Sequence, residues 1–273
     1  MAVLNFTDLG GYQSLDLDQC RAAGRSLAED YRNAAPYPHI VLDDFIDPAL
    51  LRQVVREFPD NRERASFARD QERLKHQVRP DECPGPATRA LFAELNGTAF
   101  VTFLSELTGI GGLISDPYFA GAGLHETRSG GHLSIHADFP RHEITGLDRR
   151  LNLLIYLNED WHEEYGGALE LWDREMRGCR KSVLPVMARA VIFNTERDTF
   201  HGHPDALACP PDRSRRSIAT YYYTAPRRDV MRFERTTDFR PRPGTSDKRD
   251  WQIMLHHLKA DWIPPILQRR RDA

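Results

Sequence analysis

From Gly111-Gly112 to Thr224 the sequence is a succession of short apolar runs separated by turn residues, at 113–115, 118–124, 132–136, 151–157, 168–172, 182–186, 190–194 and 216–224. Several alternate apolar with polar side chains, and β-branched and aromatic residues recur, which is the chemistry of strands. Roughly eight strands at this spacing exclude alternating βα units and require a closed or double-layered antiparallel sheet.

The first third reads differently. Residues 15–34 are polar with scattered Leu and Ala and predict a helix stopped by Pro36 and Pro38. A strand, His39-Ile40-Val41-Leu42, follows, then a helix over 48–58 opened by Asp47-Pro48. Helical spacing returns over 87–109, through Leu91, Leu95, Phe100, Phe103, Leu104 and Leu107. Between them, 60–86 is highly charged and broken by prolines, which fits a mobile lid or a solvated loop. The expected organisation is one domain over 1–273. Residues 1–110 are largely helical support, 111–224 a β core, and 225–273 a C-terminal extension with a helix from Asp247 to about Ala260.

Of the 273 residues 40% are hydrophobic and 28% charged, and the formal net charge is -3. That balance suits a soluble globular chain and offers no global basic field for nucleic acid or an anionic membrane. Four cysteines, at 20, 83, 179 and 209, form no Cys-x-x-Cys pair. Neither a structural zinc site nor a disulfide framework is indicated, and a reducing cytoplasm is the expected location. The opening residues lack a basic segment followed by an apolar run, and no stretch reaches transmembrane length. Oligomeric state is not legible.

Within the β region, His136 and Asp138 stand two apart at the end of a strand. An imidazole and a carboxylate at i and i+2 share one face. His-x-Asp alone is a common accident at a strand-to-turn junction. A second apolar run, 190–194, leads to His201 and His203. His201 is preferred as the third ligand because Phe200 can pack beneath it and Gly202 leaves room beside a metal. His203 precedes Pro204, which turns it away. Two imidazoles and a carboxylate suit Fe(II) with open positions, and equally Mn(II), Co(II) or Zn(II).

Arg215-Arg216 open the apolar strand that ends in Tyr221-Tyr222-Tyr223. Arg215, Ser217, Ala219 and Tyr221 share one face, and Arg216, Ile218, Thr220 and Tyr222 the other. A guanidinium can clamp a carboxylate through two parallel hydrogen bonds. Asn152, Leu154 and Tyr156 share a face of a neighbouring strand, so the Tyr156 hydroxyl can join an arginine on one anion. Glycines 166 and 167 fit a tight passage between sheets.

These landmarks occur in an order that resembles the Fe(II)/2-oxoglutarate-dependent dioxygenases, in the prolyl 4-hydroxylase-like branch. They are Pro38 to Phe45, His136-Ala137-Asp138, Ile155-Tyr156-Leu157-Asn158-x-x-Trp161, Gly166 to Trp172, His201-Gly202 and Arg215-x-Ser217. The resemblance implies a mainly β fold with N-terminal helices and a double-stranded β-helix (jelly-roll, cupin-like) core. It implies iron on His136, Asp138 and His201, and 2-oxoglutarate held by Arg215, Tyr156, Ser217 and Asn152, with Arg216 as the competitor for Arg215. The family reaction consumes O2, releases succinate and CO2, and hydroxylates an unactivated C–H bond; ascorbate is a possible reductant. Related halogenases carry a small residue where this chain has Asp138, so the carboxylate argues for hydroxylation. Arg215 lies fourteen residues after His201, a longer gap than in prolyl hydroxylases, and the extra loop 206–214 bears on substrate choice.

The substrate stays open between a small molecule, an amino acid and a peptidyl residue. His125, Arg128, His132 and Arg149 or Arg150 are candidates for an anionic substrate, with Tyr118, Phe139 and His142 at the mouth. Two rivals remain: a zinc hydrolase, for which Glu126 is the nearest base, and a barrel that binds a polar ligand or peptide without catalysis.

Overall fold

The computed structural model describes residues 2–60, 67–83, 85–226, 236–249, 251 and 255. In chain order these form β1 (Phe6–Asp8), β2 (Gln13–Leu15), α1 (Leu17–Asn33), β3 (His39–Leu42), α2 (Pro48–Arg56), β4 (Phe67–Arg69), β5 (Glu72–Val78), α3 (Pro86–Leu95) and α4 (Thr98–Thr108). There follow β6 (Ile114–Ser115), β7 (Gly123–Ala137), β8 (Asp148–Tyr156), β9 (Leu169–Trp172), β10 (Cys179–Val183), β11 (Ala190–Asn194), β12 (His201–His203), β13 (Ser214–Thr224) and β14 (Asp238–Phe239). Most of the expected C-terminal helix, 247–260, falls outside the described residues.

The helices begin and end where local chemistry says they should. Asp16 caps α1 by accepting from the Gln19 N–H at 2.7 Å. Asp47 caps α2, with Pro48 in the first turn, where a missing N–H costs nothing. Asn96-Gly97 splits the expected 87–109 helix into α3 and α4. Glu57, beyond the end of α2, accepts from the Ala87 and Thr88 N–H groups and so caps α3 from outside its own sequence. Helices α1 and α4 pack closely at Gly24, where a Cβ would come within 2.5 Å of the Phe103 carbonyl oxygen. The buried face of α4, Phe100, Phe103, Leu104 and Leu107, joins Leu151, Leu153 and Ile155 of β8 in one core. Each such side chain contributes about 1.5–3 kcal/mol on leaving water.

The main sheet runs β10-β9-β12-β7-β13-β8-β11-β3, antiparallel at every pairing. Strand β7 turns a corner. Its first half pairs with β13 and its second half with β12, so it passes from one layer to the other. The corner is Gly130-Gly131. Gly130 has φ +78°, and a Cβ on Gly131 would lie 2.7 Å from the Arg73 carbonyl oxygen. The two expected runs 118–124 and 132–136 are therefore ends of one strand, with 118–122 a turn before it. Strand β8 alternates Leu151, Leu153 and Ile155 toward the helices with Asn152, Leu154 and Tyr156 toward the barrel interior. There Tyr156 meets Leu169, Leu171, Val191 and Phe193 from both layers. The result is a mainly β fold with N-terminal helices and a double-stranded β-helix core.

One segment differs from expectation. The charged stretch 60–86 contains the β4–β5 hairpin, and β5 pairs with β7 from Glu72↔Leu133 to Val78↔Leu124. The first third therefore adds strands β3 and β5 to the main sheet besides its four helices. The loop 206–214 is strapped down: Leu207 exchanges backbone hydrogen bonds with Gly130 and Gly131, and the Ser129 hydroxyl donates to the Cys209 carbonyl.

Candidate active site

His136 and Asp138 sit at the end of β7 and just beyond it, and β12 pairs His201 directly opposite His136. The ligand-capable atoms of the three residues all lie within 4.8 Å of one another. His136 Nε2 is 3.5 Å from Asp138 Oδ1, and His201 Nε2 is 3.4 Å from Asp138 Oδ2. Each imidazole donates Nδ1–H to a backbone carbonyl two residues earlier: His136 to Ser134 at 2.9 Å, His201 to Thr199 at 3.1 Å. That fixes the tautomer, leaving both Nε2 lone pairs directed at one point between the rings. Phe193 packs edge-on against His201, and Phe239 of β14 against His136. Burial lowers the His201 pKa, aided by the neighbouring His136, so the ring is neutral, as a ligand must be.

Asp138 is held from behind. The Asn152 amide donates to its Oδ2 at 2.6 Å, and Arg149 Nη2 lies 3.1 Å from the same oxygen. Arg149 in turn donates twice to the Asn152 carbonyl oxygen, at 3.0 and 2.8 Å. Its guanidinium stacks between Tyr221, 3.5 Å away, and Phe139, 4.5 Å away. Burial pushes the Asp138 carboxyl up; the Arg149 guanidinium beside it outweighs that and holds the group well below the usual carboxylate range. Arg149 thus supports Asp138 and Asn152 through Nε and Nη2, while its buried Nη1 has no hydrogen-bond partner among the described residues. Asn152, grouped by sequence with the 2-oxoglutarate residues, has its amide on Asp138. Its face of β8 points to the barrel interior, but one residue pair nearer the metal-ligand carboxylate than Tyr156.

Farther inside, Arg215 is 6% exposed, and among the described residues no carboxylate pairs with it. Its Nε donates to the Gly167 carbonyl at 2.7 Å and its Nη2 to the Tyr156 hydroxyl at 3.3 Å. Burial lowers its pKa, Tyr156 opposing. The Tyr156 hydroxyl accepts from Arg215, so its own proton remains available to an anion. Ser217, also buried, stands opposite Tyr156 in the β13–β8 register and on the same face as Arg215. Gly167 makes this possible: at φ +72° a Cβ there would come 3.0 Å from Arg215 Cδ. Arg216 faces the other way. It donates from Nε and Nη2 to Glu126 Oε1, both at 3.2 Å, and stacks on Phe58.

The remaining candidates are occupied elsewhere. Glu126 also accepts from the Ser214 hydroxyl and is turned to Arg216, which removes the base a zinc hydrolase would need. His142, 1% exposed, bonds to Asp116 at 3.1 Å and accepts from the Ile144 and Thr145 N–H groups, so it pins a loop and does not line the mouth. His132 donates to the Asp70 carbonyl, and Arg128 pairs with Glu126. His203 does not turn away: a register shift between His201 and His203 brings it opposite Leu133, and it is 3% exposed. Gly202 serves the strand pairing, since a Cβ would sit 2.7 Å from the Ser134 carbonyl oxygen.

Two nitrogens and a hard oxygen around one point, in the same barrel as a buried guanidinium with no carboxylate partner among the described residues, fit Fe(II) and a dicarboxylate. Residues 122–223 match the 2OG-Fe(II) oxygenase superfamily. The chain is 26% identical over 248 residues to the prolyl 3,4-dihydroxylase OGFOD1 of Ostreococcus tauri. That alignment takes in 84% of the chain and 44% of the relative, so the chain spans under half of that protein's length. Its fold is similar to those of solved prolyl hydroxylases. It is similar to a Trichoplax adhaerens prolyl hydroxylase solved with a hypoxia inducible factor peptide fragment (TM-score 0.54, 17% identity, covering 76% of this chain and 91% of that one). It is also similar to a Phytophthora capsici prolyl 4-hydroxylase (TM-score 0.51, 19% identity, 90% and 76%). No helix among the described residues is long and apolar enough to cross a membrane.

Proposed function

We propose that the chain is an Fe(II)- and 2-oxoglutarate-dependent hydroxylase of an unactivated C–H bond. The observation that carries this reading is Arg215, a buried guanidinium with no carboxylate partner among the described residues, in the same barrel as the His136, Asp138 and His201 cluster. A buried cation is costly unless an anion or strong acceptors meet it. The distal carboxylate of 2-oxoglutarate supplies that anion, with Tyr156 and Ser217 as hydroxyl donors beside it.

His136, Asp138 and His201 would hold the iron, which when bound supplies O2 activation coupled to decarboxylation of 2-oxoglutarate. The chain's own work is positional. The Ser134 and Thr199 carbonyls keep both imidazoles in the ligating tautomer, and Asn152 and Arg149 keep Asp138 ionised and oriented. Phe193, Leu169 and Leu171 make the surrounding wall apolar and exclude water.

The substrate is a small molecule, an amino acid or a peptidyl residue. A peptidyl proline is the first to test, because the relative from Ostreococcus tauri is named for prolyl dihydroxylation. Ascorbate would serve as an accessory reductant. The four cysteines are all free, which supports the cytoplasmic placement.

Succinate formation tests the reading. Metal-free protein is given Fe(II), ascorbate and 2-oxoglutarate under O2, with prolyl peptides or free amino acids. We expect succinate above a His136→Ala control, and a product heavier by one oxygen. Succinate at the control level under every condition contradicts it.

A further inference from the structure

Tyr37 is buried, and its hydroxyl donates to the Phe200 carbonyl at 2.9 Å. Tyr37 lies just before β3, and Phe200 just before His201, the first residue of β12. The Phe200 carbonyl belongs to the planar peptide unit whose nitrogen is that of His201. A bond to this oxygen therefore holds the plane from which the His201 ring departs. The Trp172 N–H of β9 already satisfies the same carbonyl, at 2.9 Å. The Tyr37 hydroxyl is thus not needed to keep a buried acceptor paired; it adds direction.

The Tyr37 ring reaches His201 by a second route. It packs against Phe193 of β11 with centroids 6.5 Å apart, and Phe193 packs edge-on against the His201 imidazole at 4.7 Å. The backbone that carries Tyr37 is stiff. Pro36 and Pro38 flank it, and a proline fixes its own φ and confines the residue before it to extended conformations. The Tyr37 carbonyl accepts from His39 Nδ1 at 2.8 Å, and the Pro38 carbonyl from the Asn194 N–H at 3.1 Å. By contrast, the Thr199 carbonyl that sets the His201 tautomer moves with the same short segment as His201 itself.

We propose that Tyr37 is a positioning residue of the metal site, whose hydroxyl on the Phe200 carbonyl holds His201 Nε2 at the ligating point. This rests on His201 being a metal ligand. Ligand side chains must be held to within about 0.5 Å of the productive geometry by the groups behind them. Asn152 and Arg149 do this for Asp138. Tyr37 does it for His201 from a part of the chain outside both layers' metal-bearing strands.

The test is calorimetric titration of the full chain with Mn(II), together with the visible absorption of the Co(II)-loaded chain, whose bands respond to ligand geometry. Tyr37→Phe removes the hydroxyl and keeps the ring. It is expected to weaken Mn(II) about tenfold or more, the usual loss when a group that orients a ligand is removed, and to shift the Co(II) bands. Tyr222→Phe is the control. It too loses a buried hydroxyl that donates to a carbonyl, that of Leu95 at 2.8 Å, in the core against the helices. It is expected to match wild type in both readouts. Where Tyr37→Phe does not fold, Tyr37→Met gives the same comparison. Unchanged Mn(II) affinity in the Tyr37 variant, unmoved Co(II) bands, or equal weakening in Tyr222→Phe overturns the role of Tyr37 alone. A wild-type chain that does not bind Mn(II), or a His201→Ala variant that binds it as tightly as wild type, overturns the reading of His201 as a ligand, and this role with it.

Discussion

The Asn152 amide donates to Asp138 Oδ2 at 2.6 Å, and both of the Asn152 polar atoms are spent on keeping that carboxylate in place. Partners of this kind tune a metal site through its ligands, and their loss typically costs about 10–100-fold in metal affinity. Asn152→Leu is therefore expected to weaken Mn(II) or Fe(II) binding by at least tenfold while the fold persists. Metal titration with circular dichroism in parallel checks it; unchanged affinity in a folded variant would show that Asn152 only fills space.

Arg215 and Arg216 make opposite predictions. Arg215→Met should weaken 2-oxoglutarate by about 10–100-fold, the scale of hydrogen bonds to a charged group. Arg216→Met should leave that affinity alone and cost about 1–3 kcal/mol of stability, because its partner Glu126 is buried and loses the guanidinium. Direct 2-oxoglutarate titrations of the two variants separate them, and a reversed result would move the anchor to Arg216.

Gly167 tests the same pocket from the backbone. An alanine there must hold φ +72° and place its Cβ 2.5 Å from Leu207 Cδ2 and 3.0 Å from Arg215 Cδ. The left-handed backbone alone costs about 1–2 kcal/mol. Gly167→Ala should lower the urea midpoint and also reduce 2-oxoglutarate affinity, whereas Gly178→Ala, with open space around it, should do neither. Loss of stability without loss of affinity would mean Arg215 does not depend on Gly167.

The metal-free protein should lose stability in mild acid. His39, His201 and His203 are held below the ordinary imidazole pKa with burial as the main cause, and burial with the Lys75 charge takes His125 down to about 3. Below about pH 6.5 the unfolded chain takes protons on these groups that the native chain refuses, so their contribution is full above that pH and declines as the pH falls. Each group gives up to about 1.4 kcal/mol per pH unit. Urea midpoints in EDTA at pH 7.5, 6.5 and 5.5 should fall in that order, and His203→Phe should flatten the decline. A constant midpoint across that range would contradict the burial of these rings as neutral groups.

What sequence could show here was set by how local each signal is. The His136 and Asp138 pair needed only strand alternation, and α1, α2, β3 and β11 lie where periodicity and capping residues put them. Long-range partners were not legible. Nothing near Arg149 in sequence says that Asp138, Phe139 and Tyr221 will enclose it, so a charged residue read as a substrate contact is a support of Asp138. Strand β12 has three residues and no apolar pattern; it exists because β7 and β9 offer it partners on both sides. The runs 118–124 and 132–136, read as separate, meet in one strand that turns its corner at Gly130-Gly131. The charged composition of 60–86 suggested a loop, whereas β5 satisfies its backbone on the edge of β7 and keeps its charges in pairs such as Lys75 with Glu72 at 2.6 Å.

The most direct measurement of the central claim is a crystal structure of the chain grown anaerobically with Fe(II) and 2-oxoglutarate, with diffraction collected across the iron edge. The account predicts one anomalous peak bounded by His136 Nε2, His201 Nε2 and the Asp138 carboxylate, and a 2-oxoglutarate whose distal carboxylate meets Arg215 and Tyr156. Iron bound away from these three side chains, or the distal carboxylate seated on Arg216, would contradict it.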